Sequence, residues 1–356
     1  MDVQKAIVSK TKLGNFFEDF CLGMEIAHAT PRTVSSGDQA LYTALYGPRF
    51  ALFSSDEFAR SLGLERSPVD DFLAFHVVFG KTVSDISLNA IANLGYAEGI
   101  FGVPLYPGDT ITTTSKVIGL KENSSGKTGV VYVRSTGCNQ RGEEVLSYVR
   151  WVMVRKRSSG SPSPKTIVPD LKKVVSVEDF ILPGKLTMSG FDNTLAGSSF
   201  RWDDYHVGEK IVHVDGVTIE EAEHQMATRL YQNTAKVHFN NHTESQGRFG
   251  KRLIYGGHVI SLARSLSFNG MENAVKIMAI NGGAHVAPTF AGDTIYAWSE
   301  ILEKIDFPER NDLGALRVRL IAVKNNNCES TPLMDEDGRY HSDVVLDFDY
   351  TVLMPK

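Results

Sequence analysis

The chain has 356 residues, of which 42% are hydrophobic and 22% charged, with a net charge of −5 and a pI near 6.1. Such a chain can bury a large core, its length favours two domains, and its acidic balance excludes the broad basic face of a general nucleic-acid binder. MDVQKAIVSKTKLGNFF has no uninterrupted apolar core and no later run approaches the roughly 18 apolar residues of a spanning helix, so a cytoplasmic protein without a membrane partner is expected.

Phe17 to Phe53 reads FEDFCLGMEIAHATPRTVSSGDQALYTALYGPRFALF, a short strand leading into a helix that Ser35 and Asp38 cap as a box. A second helix is expected from near Gly80, with Val83, Ile86, Ala90, Ile91 and Leu94 along one buried face. Period-two alternation in GVVYVRST and EVLSYVRWVMVRK then marks strands. Arg157 to Pro169 has the Ser, Pro and Gly content of a linker, and VEDFILPGKLTM beyond it suggests one short strand in an extended crossover.

The pattern then repeats. Trp202 to His238 reads WDDYHVGEKIVHVDGVTIEEAEHQMATRLYQNTAKVH, and at a constant offset of 185 Asp19 falls on Asp204, Gly23 on Gly208, His28 on His213, Thr33 on Thr218 and Tyr46 on Tyr231. PLYPGDTI at Pro104 to Ile111 recurs as PTFAGDTI at Pro288 to Ile295, offset 184. This is one unit present twice. In the second copy Thr218 and Glu221 suggest a capping box, ALRVRLIAV and SDVVLDFDYTVLM alternate as strands, and Asp337-Gly338 between them signals a hairpin turn. A helix followed by long antiparallel strands buries its apolar stripe only if the sheet covers it, so each unit is α+β.

Between the two helices of the second copy lies a polar connector, Leu230 to His258. It places Asn233 and His238 just beyond one helix and Gly256-Gly257 at the start of the next. Loop positions fixed by flanking helices are where chemistry tends to sit. His213 has its counterpart His28 in the first copy and reads as structural. Gly80-Lys81-Thr82 and Gly126-Lys127-Thr128 lack the earlier glycine of a phosphate loop. No histidine or cysteine spacing supports a metal site.

QNTAKVH at Gln232 to His238 and RLIYGG at Arg252 to Gly257 resemble the GDxNPxH and RPIxHG motifs of MaoC-like (R)-specific enoyl-CoA hydratases. GNFFEDFCLGMEI, FHVVFGKTVSDISLNAIANLGYAEG and YQNTAKVHFNNH resemble the narrower family of mesaconyl-CoA hydratases, also called β-methylmalyl-CoA dehydratases. The resemblance implies a double hot dog: an N-terminal unit over 1–160, catalytically degenerate but accommodating acyl-CoA, a crossover over 161–197, and a catalytic unit over 198–356. It implies an acyl-CoA thioester as partner, no cofactor beyond it, and a homo-oligomer. His238 falls on the family's catalytic histidine and Gly257 on the glycine whose N–H binds the thioester oxygen. Asn233 stands where the family has aspartate; an amide orients but cannot carry a proton, so Glu244 or the substrate's own carboxylate are candidate substitutes. The first copy has Pro48 and Phe53 at those positions and is expected to be silent. Gly256 with Lys236, Arg248, Lys251 and Arg252 would bind the substrate, the four cations suiting CoA phosphates or a carboxylate. The expected reaction is hydration of a branched, carboxylated 2-enoyl-CoA; a hot-dog thioesterase and a non-catalytic acyl-CoA binding protein are the alternatives.

Overall fold

In the computed structural model, which describes residues 10–356, the alternating segments become ten antiparallel strands. The start of the expected first unit, residues 1–9, lies outside the described residues, and with it most of the N-terminal stretch read above. The first half holds β1 (Glu25–Thr33), β2 (Ala90–Phe101), β3 (Thr110–Glu122), β4 (Thr128–Cys138) and β5 (Glu144–Arg155). The second holds β6 (Lys210–Thr218), β7 (Ile277–His285), β8 (Thr294–Asp306), β9 (Leu313–Lys324) and β10 (Val344–Pro355). They form one sheet in the order β1-β3-β4-β5-β2-β7-β10-β9-β8-β6. That order reads the same from either edge once the halves are superposed, so the duplication is visible in topology. The halves meet where β2 pairs with β7, Tyr96 opposite Gly283 and Ala97 opposite Gly282. This join protects two strand edges; β1 and β6 remain as the outer edges of the sheet.

Among the described residues eight α-helices accompany the sheet. They are α1 (Ser36–Tyr46), α2 (Ala51–Ser54), α3 (Asp56–Ser61), α4 (Asp71–Thr82), α5 (Asn193–Ala196), α6 (Glu221–Leu230), α7 (Asn241–Glu244) and α8 (Gly256–Leu266). The two long central ones, α4 and α8, contribute to one hydrophobic core with residues of β2, β5, β8, β9 and β10, including Phe75, Val78, Ile260, Tyr148, Leu320 and Phe348. No described helix is long and apolar enough to cross a membrane. This is the α+β double hot dog.

Duplicated residues make duplicated bonds. Asp19 and Asp204 accept the N–H groups of Phe16 and Arg201, at 2.8 and 2.7 Å. His28 and His213 each bond a serine hydroxyl on the neighbouring strand, Ser115 and Ser299, at 2.8 Å. Asp109 and Asp293 close the two PxxxGD turns on the N–H groups of Tyr106 and Phe290. Ser35 and Asp38 form the expected capping box.

Four expectations are corrected. The central helix of the first half starts at Asp71, not near Gly80; Val83–Ser87 is a wider turn and Ala90 opens β2. The periodic set from Val83 to Leu94 straddles a helix end and a strand, whereas the true helix is buried on every side and so lacks an amphipathic signature. Thr218 does not cap α6: its hydroxyl meets that of Thr294 at 2.8 Å, and Glu220 is the N-cap residue without a side-chain bond. The stretch containing VEDFILPGKLTM holds a single-turn helix at Val177–Asp179 and no named strand. Asp337-Gly338 turns at the tip of an excursion closed by a Met334–Tyr340 bridge, and does not join β9 to β10 directly.

Candidate active site

The connector between α6 and α8 is held at both ends by backbone bonds. Asn233 donates its N–H to Thr228 at 2.9 Å, and Leu253 donates to Val237 at 3.0 Å. Between them a single helical turn, Lys236–His238, carries the histidine inward until only 8% of it is exposed. His238 Nδ1 lies 2.8 Å from the Leu253 carbonyl oxygen. A carbonyl can only accept, so Nδ1 carries the proton and Nε2 keeps its lone pair. Burial holds the imidazolium pKa down to about 4, against the opposing pull of the Leu253 carbonyl. At neutral pH His238 is therefore a neutral imidazole with one basic nitrogen free.

Asn233 is buried and uses its side-chain oxygen to accept the Ala235 N–H at 3.0 Å. Among the described residues its amide NH₂ makes no recorded bond, so that end is available to orient water or substrate. Just before it, Gln232 sits at φ 53°, the counterpart of Gly47 at φ 60° in the first half. A side chain at that positive φ is strained; here it brings the amide oxygen to the Lys81 ammonium.

Helix α8 starts at Gly256 with no side-chain cap, and the N–H groups of Gly256 and Gly257 find no acceptor among the described residues. Unpaired donors at a helix N-terminus concentrate partial positive charge. Tyr255, the N-cap residue, is fixed by donating its own N–H to His224 Nε2 at 2.9 Å, and its ring centroid lies 5.6 Å from that of His238. A Cβ at Gly256 would strike the His285 ring, and one at Gly257 the rings of Tyr255 and His76, at 2.4 to 2.5 Å. Glycine is required at both positions by close approach.

Sequence reasoning missed the remaining shell. His76, His224, His258 and His285 surround the same helix start, all with pKa values depressed by burial, to about 3 for His258 and about 4 for His285. A hydroxyl chain runs from Tyr231 to Tyr46 to His258 Nδ1, each step 2.8 Å. His76 comes from the first half: its Nε2 meets Ser261 Oγ at 2.8 Å and its Nδ1 the Tyr255 hydroxyl at 3.3 Å. Gly80 lies against the backbone of Tyr231 to Asn233, where a Cβ would sit 1.9 Å from the Tyr231 carbonyl oxygen. Helix α4 thus walls a site whose motifs lie wholly in the other half. The clustering of seven of the ten histidines between His206 and His285 is the one sequence signal that pointed to part of this shell.

The four cations stay at the periphery. Arg252 pairs with Glu221, Lys251 lies 4.1 Å over the Phe290 ring, Arg248 lies 5.0 Å over Phe249, and Lys236 is exposed. None of them contacts His238. Glu244, on α7, makes no bond to His238 either.

Fold and site together define the class of protein: a hydro-lyase of the MaoC-like double hot-dog type, with a neutral imidazole beside an open helix N-terminus. The model of the mesaconyl-CoA hydratase family matches residues 4–334, and the chain belongs to that family. It is 65% identical to the β-methylmalyl-CoA dehydratase of Chloroflexus aurantiacus over 98% of this chain and 99% of that one. It is 59% identical to the mesaconyl-CoA hydratase of Cereibacter sphaeroides over 98% and 100%. A crystal structure of a MaoC domain dehydratase from Chloroflexus aurantiacus superposes with a TM-score of 0.96 at 65% identity, covering 98% of this chain and 99% of that one. A Mycobacterium tuberculosis protein described as having a double hot-dog fold shares that fold, at 23% identity and a TM-score of 0.76 over 96% and 98% of the two chains.

Proposed function

We propose that this protein catalyses the reversible hydration of mesaconyl-CoA to β-methylmalyl-CoA, with His238 as the acid–base and the α8 N-terminus as the oxyanion site. The thioester oxygen is received by the Gly257 N–H, which stabilises the enolate that forms as the alkene is polarised. His238 Nε2 takes a proton from water while the water oxygen bonds the β carbon, the one bearing the carboxylate. The same nitrogen then protonates the α carbon, the one bearing the methyl group, so no external proton donor is needed. An imidazolium of low pKa is a strong acid, which speeds that return. Asn233 orients the water through its free amide. Lys236, Arg248, Lys251 and Arg252, together at the periphery, suit the phosphates of CoA, and Gly256 lets the thioester reach the backbone.

The observation that carries this reading is the His238 tautomer fixed by the Leu253 carbonyl, which leaves a bare Nε2 in a site where no carboxylate contacts it. A thioesterase would instead need a group activating water toward the carbonyl carbon. Incubation of the purified protein with mesaconyl-CoA should remove the enoyl-thioester absorbance without releasing free thiol. Thiol release would establish the thioesterase, and no change in either signal would leave a binding protein.

A further inference from the structure

We propose that Arg150, in the half without the catalytic motifs, is the counter-ion of the substrate's free carboxylate. This assignment rests on the hydration of a carboxylated enoyl-CoA set out above. Arg150 lies on β5 and is 0% exposed, yet among the described residues no aspartate or glutamate pairs with it. Its bonds go to neutral oxygens only: Thr82 Oγ1 at 2.7 Å, Ser87 Oγ at 3.3 Å and Asn93 Oδ1 at 3.5 Å. Arginine does not deprotonate in proteins, and a buried cation without an anion is strongly unfavourable. Here three polar atoms, one of them its own, are buried without hydrogen-bond partners among the described residues: Arg150 Nε, Asn93 Nδ2 and the Tyr148 hydroxyl. All three can donate. A concentration of unpaired donors about one guanidinium is a carboxylate-shaped deficit.

The position suits the acyl end of the substrate. Arg150 is directly opposite Tyr96 across the β5–β2 ladder. The Tyr96 hydroxyl meets His285 Nε2 at 3.2 Å, and His285 is the ring against which Gly256 packs. By a second route, the guanidinium carbon is 4.3 Å from the Phe79 ring centre, and Phe79 lies 5.4 Å from Tyr255, the N-cap of α8. One layer of aromatic rings therefore separates Arg150 from the site of the thioester oxygen. The two ends of a four-carbon diacid thioester would engage the two halves of the protein: the thioester the second, the carboxylate the first. By contrast, the peripheral cations lie on exposed or paired positions where a carboxylate would remain in water.

The test compares mesaconyl-CoA with 2-methylcrotonyl-CoA, in which a methyl group replaces the carboxylate, for the wild type, Arg150→Met and Arg150→Lys. In Arg150→Met, kcat/KM for mesaconyl-CoA should fall on the order of 10²-fold or more, as for loss of one partner of a buried charge pair, while the methyl analogue is turned over as by the wild type. Melting of ligand-free Arg150→Met should come no lower than wild type, because an uncompensated buried charge has been removed. Arg150→Lys keeps the charge without the fork, so it should lose part of the preference for mesaconyl-CoA alone. Equal losses on both substrates with a lowered melting temperature would make Arg150 a structural residue and overturn the assignment. If the methionine variant does not fold, an unchanged substrate ratio in the lysine variant overturns it. A wild type that hydrates neither substrate defeats the proposed function itself, which is a separate result from a wild-type ratio that both substitutions leave intact.

Discussion

The two central helices begin in opposite ways. At α8 the sequence is Tyr255-Gly256-Gly257, and the first N–H groups are left open. At the matching positions of α4, Asp70-Asp71-Phe72, the chain supplies its own anions: Asp70 accepts the Phe72 N–H at 2.8 Å, while Asp71 accepts the Ile277 N–H at 2.8 Å and the Lys276 ammonium at 2.9 Å. Burial, and then the neighbouring Asp71, push the Asp70 carboxyl up to about 6. One helix N-terminus is left open, where the proposed mechanism seats the thioester oxygen, and the other is closed with carboxylates. A cavity of about 200 Å³ lies between the halves beside Tyr46, Gly47, Arg49, His213 and Ser265, the counterpart of the space that Lys81 and Gln232 occupy. On the proposed mechanism, the difference teaches that carboxylates at one helix start suffice to close an anion hole while the surrounding fold is left intact.

The contrast can be broken at matched positions. His238→Ala should lower kcat by about 10²–10⁴-fold, whereas alanine at its counterpart Phe53, partly buried at the edge of the core, should alter stability and leave turnover in place; steady-state rates with melting curves separate the two. Asp71→Ala leaves Lys276 buried and unpaired, which should cost about 3–5 kcal/mol in denaturant unfolding, with the folded fraction retaining hydration activity. Gly257→Ala should cost about 10²–10³-fold in kcat, the scale of losing one oxyanion donor. Its Cβ meets the Tyr255 and His76 rings, so some stability is lost too, and valine there would displace both rings rather than leave the fold intact. Turnover by Gly257→Ala equal to wild type would remove the α8 N-terminus from the mechanism.

The smallest effect per residue is in pH. His213, His238, His258 and His285 are buried with folded pKa values of about 4, 4, 3 and 4, against about 6.5 unfolded. The unfolded chain binds more protons below that value, so stability is lost as pH falls from about 6.5 toward 4, by about 2 kcal/mol per histidine at pH 5. Asp70 acts in the opposite sense: its raised pKa adds stability as pH falls from about 6 toward 3.8, but it is one group against these four and the likewise depressed His76 and His224. Unfolding free energies measured at pH 7, 6 and 5 should fall with a slope of more than one proton. A flat profile would mean that these imidazoles are solvated.

Much of this was legible in the sequence because it is local or repeated. The offset of 185 exposed the duplication, and the connector exposed Asn233, His238 and Gly257, since helix-flanked polar residues are contiguous in the chain. The position of α4 was not legible: FLAFHVVF is apolar on all faces, and period 3.6 carries no information when nothing faces water. His76 and Arg150 were missed for another reason. His76 acts through contacts between halves, and the role proposed for Arg150 needs a substrate that spans them; a sequence read one unit at a time does not show which helix walls which site. Arg150 did carry a faint mark, a cation in the middle of the apolar alternation of EVLSYVRWVMV.

The continuous sheet joined at β2 and β7 has an evolutionary corollary. Were the two units separate, identical subunits, any substitution would appear twice, and an aspartate at the helix start would close both anion holes together. Tethering the copies in one polypeptide releases each from its twin. One lineage of residues could then drift toward the Asp71–Lys276 lock while the other kept its glycines. The same tether forbids retreat: a second half expressed alone would lack the His76 and Gly80 wall and leave β7 with a raw edge, so cutting the chain would not return two self-sufficient units.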